Sequence, residues 1–232
     1  MIQIVKSNDR HFNDFGWLQT YWLFSFSNYH DPENISHGRL RVFNDDIVKA
    51  QKGFDTHPHE EMEIISIVLD GEMVHEDTMG NTTTIRKNDV QRMTAGTGLY
   101  HSERNLSDKP VYFFQIWINP DKRGLEPSYA QKGFKPDLWQ NKIKLLASDT
   151  PGEGIVSLNT EASIYRAVLE KGKRLDLEFD ENRNPFIYMI KGKAEVNNAI
   201  IETRDQARIK NELSLEIVAT DSSEFIMIDV PA

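Results

Sequence analysis

The chain has 232 residues, enough for one large β domain or two small domains with separate cores. Its net charge of −9, from 27 basic and 36 acidic residues, has the wrong sign for a partner held through phosphates, so no direct nucleic-acid partner is expected. There is no cysteine, which excludes disulfides, zinc–thiolate sites, Cys-ligated iron–sulfur clusters and Cys nucleophiles, and leaves nitrogen and oxygen ligands for any metal.

The first seven residues lack the apolar stretch of a signal peptide, and no apolar run approaches about 18 residues. No membrane span or membrane partner is expected, and the cytoplasm is the default location. Residues 1–37 are aromatic-rich and loop-like, with Phe15, Trp17, Tyr21, Trp22, Phe24, Phe26 and Tyr29 close together. These rings are expected to cover one end of a core, and the partial alternation over 20–26 suits a strand. From Gly38 to Ile118 the chain reads as short strands at 40–43, 62–69, 72–77, 82–85 and 111–118, separated by turn residues. Asp70-Gly71 between two strand-like runs predicts a two-residue hairpin. Residues 119–140, broken by Pro120, Gly124, Pro127, Gly133 and Pro136, read as a connection.

Beyond that connection, 186–190, Lys191-Gly192 and 193–196 repeat the strand–turn–strand pattern at an offset of 121 residues, with Gly192 over Gly71. This predicts an internal duplication, with domains at 1–130 and 131–232. All seven histidines, at 11, 30, 37, 57, 59, 75 and 101, lie in the first half, so only that half can build a histidine-based metal site.

The residues that suggest chemistry are His57-Pro58-His59 and His101-Ser102-Glu103. On a strand, i and i+2 side chains share a face, so two facing strands can bring three imidazoles and a carboxylate to one point. Such a donor set suits Fe(II), Mn(II), Ni(II), Cu(II) or Zn(II), and ligand type alone does not choose among them. The bland alternative is four partly exposed strand residues with ordinary hydrogen bonds; the second pair, after a Gly-rich turn, weighs against it. His75 is expected in a structural or surface role, and His11, His30 and His37 in solvent. Glu178 and Asp180 fall opposite His57 and His59 under the same offset and are expected on a solvated face.

His57-x-His59-x3-Glu63, His101-x3-Asn105 and the glycines before each resemble the two cupin motifs. Phe24-Ser25-Phe26, Thr56-His57-Pro58-His59, Asp70-Gly71-Glu72, Asp77-Thr78-Met79-Gly80-Asn81, Thr94-Ala95-Gly96-Thr97-Gly98, His101-Ser102-Glu103 and Gln115-Ile116-Trp117-Ile118 narrow the likeness to the pirin family and its bacterial quercetinase-like members. The match covers most of residues 15–120, while the second half resembles only a degenerate cupin. Leu23 stands where the family more often has threonine.

The resemblance implies an all-β bicupin, two tandem jelly-roll β-barrels with a metal site in the N-terminal one alone. It implies His57, His59, His101 and Glu103 as ligands, with Glu63 supporting or structural. It implies a flavonol 2,3-dioxygenase acting on quercetin or a similar small aromatic substrate with dioxygen. Glu103 would be the catalytic base and Fe(II) the first choice of metal, ahead of Mn, Ni, Cu, Zn or Co. Phe54 and Tyr100 are candidates for the pocket wall. A monomer is expected. The rival reading from the same family is a non-enzymatic, metal- or redox-dependent regulator.

Overall fold

The computed structural model describes residues 1–150 and 152–232. The chain forms two compact units: His11–Phe134 with Asp149–Glu161, and Met1–Arg10 with Lys135–Ser148 and Ala162–Ala232. The units are therefore discontinuous in sequence, with short segments exchanged on either side of the single cut expected near residue 130.

In the first unit, one sheet runs in the order Ser128–Gly133, Asp89–Thr94, Glu63–Asp70, Val111–Ile118, Leu40–Val48, Leu18–Trp22, His11–Asp14. The smaller sheet runs Lys52–His59, Leu99–Asn105, Glu72–Asp77, Thr82–Arg86. Pairing is antiparallel throughout. Two expectations change here. The aromatic-rich start contributes edge strands to the large sheet, and the expected connection at 119–140 contains Ser128–Gly133, paired with Asp89–Thr94.

The second unit repeats the plan. Its larger sheet contains Ile2–Val5, Gln206–Ile209, Arg183–Lys191, Ser223–Pro231, Ser163–Leu169 and Lys142–Ser148 in that order. Its smaller one runs Arg174–Glu178, Ser214–Ala219, Lys193–Val196, Ala199–Glu202. The chain is thus the expected all-β bicupin. No helix among the described residues is long and apolar enough to cross a membrane.

Asp70-Gly71 does not close a hairpin. Glu63–Asp70 pairs with Val111–Ile118 and Asp89–Thr94, whereas Glu72–Asp77 pairs with Leu99–Asn105 and Thr82–Arg86. The glycine is a corner where the chain leaves one sheet for the other. Its φ is 79°, and a Cβ there would lie 2.8 Å from the Pro110 carbonyl oxygen. Gly192, with φ 87°, turns the equivalent corner, and its Cβ would lie 2.0 Å from the Ser222 carbonyl oxygen. Both corners need positive φ and a close backbone approach that only glycine permits. The duplication read from these two glycines holds, for a different physical reason.

Inward side chains of the first barrel are apolar at both ends and polar between. Leu18, Val48, Val68, Met73, Ile85, Val111 and Phe113 form one apolar cluster, and Ile64, Met93 and Leu99 form another. Alternation places Ser66 between Ile64 and Val68, Gln115 between Phe113 and Trp117, and Gln91 two residues before Met93. His75, His101 and Glu103 belong to the same buried polar belt.

Candidate metal centre

Lys52–His59 and Leu99–Asn105 lie side by side with His57 opposite His101 and Phe54 opposite Glu103. Between these rungs the register shifts, so Lys52–His59 carries one extra residue; such bulges re-aim neighbouring side chains. The other flank of Leu99–Asn105 is Glu72–Asp77, which sets Asp77 opposite His101 and His75 opposite Glu103.

Nitrogens of His57, His59 and His101 converge within 4.8 Å of one another. His57 Nε2 and His101 Nε2 are 3.0 Å apart. His57 donates through Nδ1 to the Asp55 carbonyl at 2.7 Å, which leaves its Nε2 lone pair free. Two neutral imidazoles at this spacing set lone pair against lone pair unless a proton or a cation lies between them. Two metal–nitrogen bonds of about 2.1 Å at a right angle span roughly the same distance. Burial, then repulsion from His57, holds His59 down to about 4; burial, then the neighbouring histidines, holds His101 down to about 2. Both are neutral near pH 7, the form that binds metal. The donor set fits a divalent metal.

Glu103 is buried beside these rings. Its Oε1 accepts from Ser66 Oγ at 3.1 Å and its Oε2 from Gln115 Nε2 at 2.8 Å. Burial raises its pKa, against the pull of His75, the Ser66 hydrogen bond, His57 and the Gln115 hydrogen bond. Its carboxylate groups with His75 and His101 within 4.8 Å and does not close a four-member cluster with His57 and His59. Glu63 points elsewhere: it accepts from Thr94 Oγ1 at 2.7 Å and the Asn159 amide at 2.8 Å, with Arg92 Nε at 3.6 Å. These contacts make it structural.

The other histidines divide. His75 is fully buried, not at the surface, and lies between His101 and Asp77. His37 is buried at 2% exposure, against the expectation of solvent. His11 stacks between Trp22 and Tyr29, and His30 is exposed. Glu178 and Asp180 are exposed, as expected.

His57, His59 and Glu103 line a cavity of about 580 Å³, within the range of small-molecule sites. Its walls carry Phe15, Trp17, Trp22, Phe26, Phe54 and Trp117. Phe54 is thus in the wall; Tyr100 is 52% exposed and is not among the lining residues. The N-terminal rings form part of the wall of this cavity, which was not expected from the sequence. Asn44, Asp46 and Gln115 also line the cavity, and Asn44 Oδ1, Asp46 Oδ1 and Gln115 Oε1 have no hydrogen-bond partner. The Gln115 amide is oriented by Glu103, which only accepts from it, so its free atom is an oxygen. Trp117 Nε1, also unpartnered, adds a donor. One signal for these residues was visible: a polar residue interrupting an apolar strand, as Gln115 does in 111–118.

The Pirin profile matches residues 5–118, and that of the quercetinase C-terminal cupin domain matches 145–230. A quercetin 2,3-dioxygenase of Escherichia coli strain K12 is 37% identical over 232 residues, covering 100% of this chain and 99% of the relative. A pirin-like protein of Caulobacter vibrioides is 37% identical over 217 residues, covering 93% and 94%. Among solved structures, the bacterial pirin YhhW of Escherichia coli in complex with nickel(II) superposes with a TM-score of 0.94 at 35% identity, covering 100% of this chain and 99% of that one. The chain therefore belongs to the pirin family of bicupins, among its quercetin 2,3-dioxygenase-like oxidoreductases.

Proposed function

We propose that the protein is a metal-dependent dioxygenase that opens the central ring of a flavonol such as quercetin, releasing carbon monoxide. The carrying observation is the convergence of three imidazoles, two of which line an aromatic-walled cavity. His57, His59, His101 and Glu103 hold the ion in this reading, with Fe(II) as the resident metal because a redox-active ion with nitrogen and oxygen ligands suits dioxygen chemistry. When bound, the ion supplies a Lewis acid that favours the ionised form of a substrate hydroxyl.

The chain's own residues do the rest. Trp17, Phe54 and Trp117 hold a flat arene. The free oxygens of Asn44 and Gln115 accept from its hydroxyls, and Trp117 Nε1 donates to its carbonyl. Each Glu103 oxygen keeps a lone pair beyond its bond to Ser66 or Gln115, and one of them takes the substrate hydroxyl proton. Ser66 and Gln115 fix the carboxylate for that transfer.

Oxygen uptake and carbon monoxide release by metal-loaded protein with quercetin test the reading, with elemental analysis of protein purified without added metal. Turnover is expected, and Glu103→Gln should abolish it. No uptake with any flavonol would leave the regulatory reading in its place.

A further inference from the structure

His75 has no place in the ligand set, yet it is buried at the centre of the polar belt. Its two ring nitrogens face two different groups. Nε2 lies 2.9 Å from Asp77 Oδ2, and both side chains are fully buried. Nδ1 lies 3.4 Å from His101 Nδ1 and 3.4 Å from Gln91 Nε2. An ionised carboxylate only accepts, so His75 carries its proton on Nε2 and donates to Asp77. Its Nδ1 is then an acceptor, as the facing Gln91 amide also requires. The only hydrogen His101 can offer to that acceptor is on its own Nδ1. This leaves His101 Nε2 as a bare lone pair, 3.0 Å from His57 Nε2.

We infer that Asp77 and His75 form a positioning relay that holds His101 in the tautomer whose Nε2 lone pair faces the metal position. The inference rests on the reading of His101 as a ligand. His57 obtains the same tautomer from a backbone carbonyl, that of Asp55. His101 obtains it through two side chains, so a single substitution can reverse it.

The turn after Asp77 makes that substitution predictable. Asp77 Oδ1 accepts from the amides of Met79 at 2.9 Å and Asn81 at 3.1 Å. In Asp77→Asn the amide oxygen stays on those two backbone donors, its NH2 group faces His75 Nε2, and the Asn81 side-chain amide, which donates to Asp77 Oδ2 at 2.8 Å, turns its oxygen toward that NH2. His75 must then accept there and carry its proton on Nδ1. His101 in turn loses the Nδ1 proton, takes one on Nε2 and blocks its own lone pair.

Two measurements test this. Long-range 1H–15N correlation spectra should show His75 protonated on Nε2 in the wild type and on Nδ1 in Asp77→Asn, and His101 protonated on Nδ1 in the Zn(II)-loaded wild type, where a cation separates its Nε2 from that of His57. Titration with Ni(II) should show roughly 10- to 100-fold weaker binding for Asp77→Asn, the usual effect of losing a ligand's supporting partner. His75→Gln keeps an acceptor for His101 and should bind Ni(II) more tightly than His75→Leu. His75 protonated on Nδ1 in the wild type overturns the inference even if the variants fail to fold. Ni(II) affinity in Asp77→Asn within twofold of wild type also overturns it, provided His57→Ala has lost the metal. Undiminished Ni(II) binding by His57→Ala overturns the ligand reading, and the relay with it.

Discussion

The two barrels place different chemistry on equivalent ladder rungs. Four residues beyond each corner glycine stand His75 and Val196. His75 pairs with Glu103, and Val196 with Ile217. Two residues before those partners are His101 and Leu215, which face His57 and Leu177. The second barrel fills its belt with aliphatic side chains, including Val196, Leu215 and Ile217, all buried. Each is worth roughly 1.5–3 kcal/mol of burial. The first barrel gives up that contribution and keeps several buried polar atoms without partners, each costing about 1–3 kcal/mol. The fold is thus indifferent to what fills the belt, and the site is a local exchange of stability for chemistry.

Placing that chemistry in the other barrel should fail most severely. Ile217→Glu puts a carboxylate between Val196 and Leu175 with no Ser66 or Gln115 to hold it. An unpaired buried charge costs about 3–5 kcal/mol. Urea unfolding should show a loss of that size and no gain in bound metal. A loss below about 1 kcal/mol would mean that the second belt is not as dry as its packing implies.

The first barrel should lose stability as pH rises above the acidic range. Asp46 is pushed up to about 8, first by burial and then by Asp45 and Glu103, against the pull of Thr20. Its folded pKa lies above the unfolded value. Its favourable contribution is therefore complete below the unfolded pKa and is lost as pH rises through the folded one. At about 1.4 kcal/mol per pH unit, metal-free protein should lose roughly 3 kcal/mol between about pH 5 and pH 7 through this group. Asp46→Asn should flatten that part of the profile in denaturant titrations. An unchanged slope would remove Asp46 as the cause.

Metal should return part of what the polar belt costs. A hundredfold excess over the dissociation constant stabilises a fold by about 2.7 kcal/mol. Chelator should lower the melting temperature accordingly, and His57→Ala should make it insensitive to chelator and reduce bound metal in elemental analysis. Normal stoichiometry in that variant would refute the ligand assignment.

The legible part of this chain was its local spacing. His57 and His59, then His101 and Glu103, are i,i+2 pairs, and strand geometry alone puts each pair on one face. The corner glycines revealed the duplication. Strand partners were not legible, because an Asp-Gly dipeptide satisfies the φ demands of a hairpin turn and of a sheet-to-sheet corner alike. The place of His75 was not legible either: its burial between Asp77 and His101 depends on which strands pair. Phe15, Trp17, Trp22 and Phe26 read as core because a buried ring and a ring lining a cavity look alike in sequence.

The ring of Trp117, on the same cavity wall, gives the smallest effect and the most specific one. Trp117 meets His59 edge-on, with centroids 4.9 Å apart, and Phe26 at 5.3 Å. It contributes a flat wall and one unpartnered donor to the cavity, and no ligand atom to the metal. Trp117→Leu should therefore leave metal stoichiometry intact while weakening substrate stacking by about 1 kcal/mol, roughly a fivefold rise in KM for quercetin. The value of kcat should change less, because Glu103 and its partners are untouched. A lower kcat at unchanged KM would place Trp117 in the chemistry and not in the wall. An unchanged KM would mean that the substrate lies against the Trp17 and Phe54 side of the cavity, which Trp17→Leu would then reveal by the same measurement.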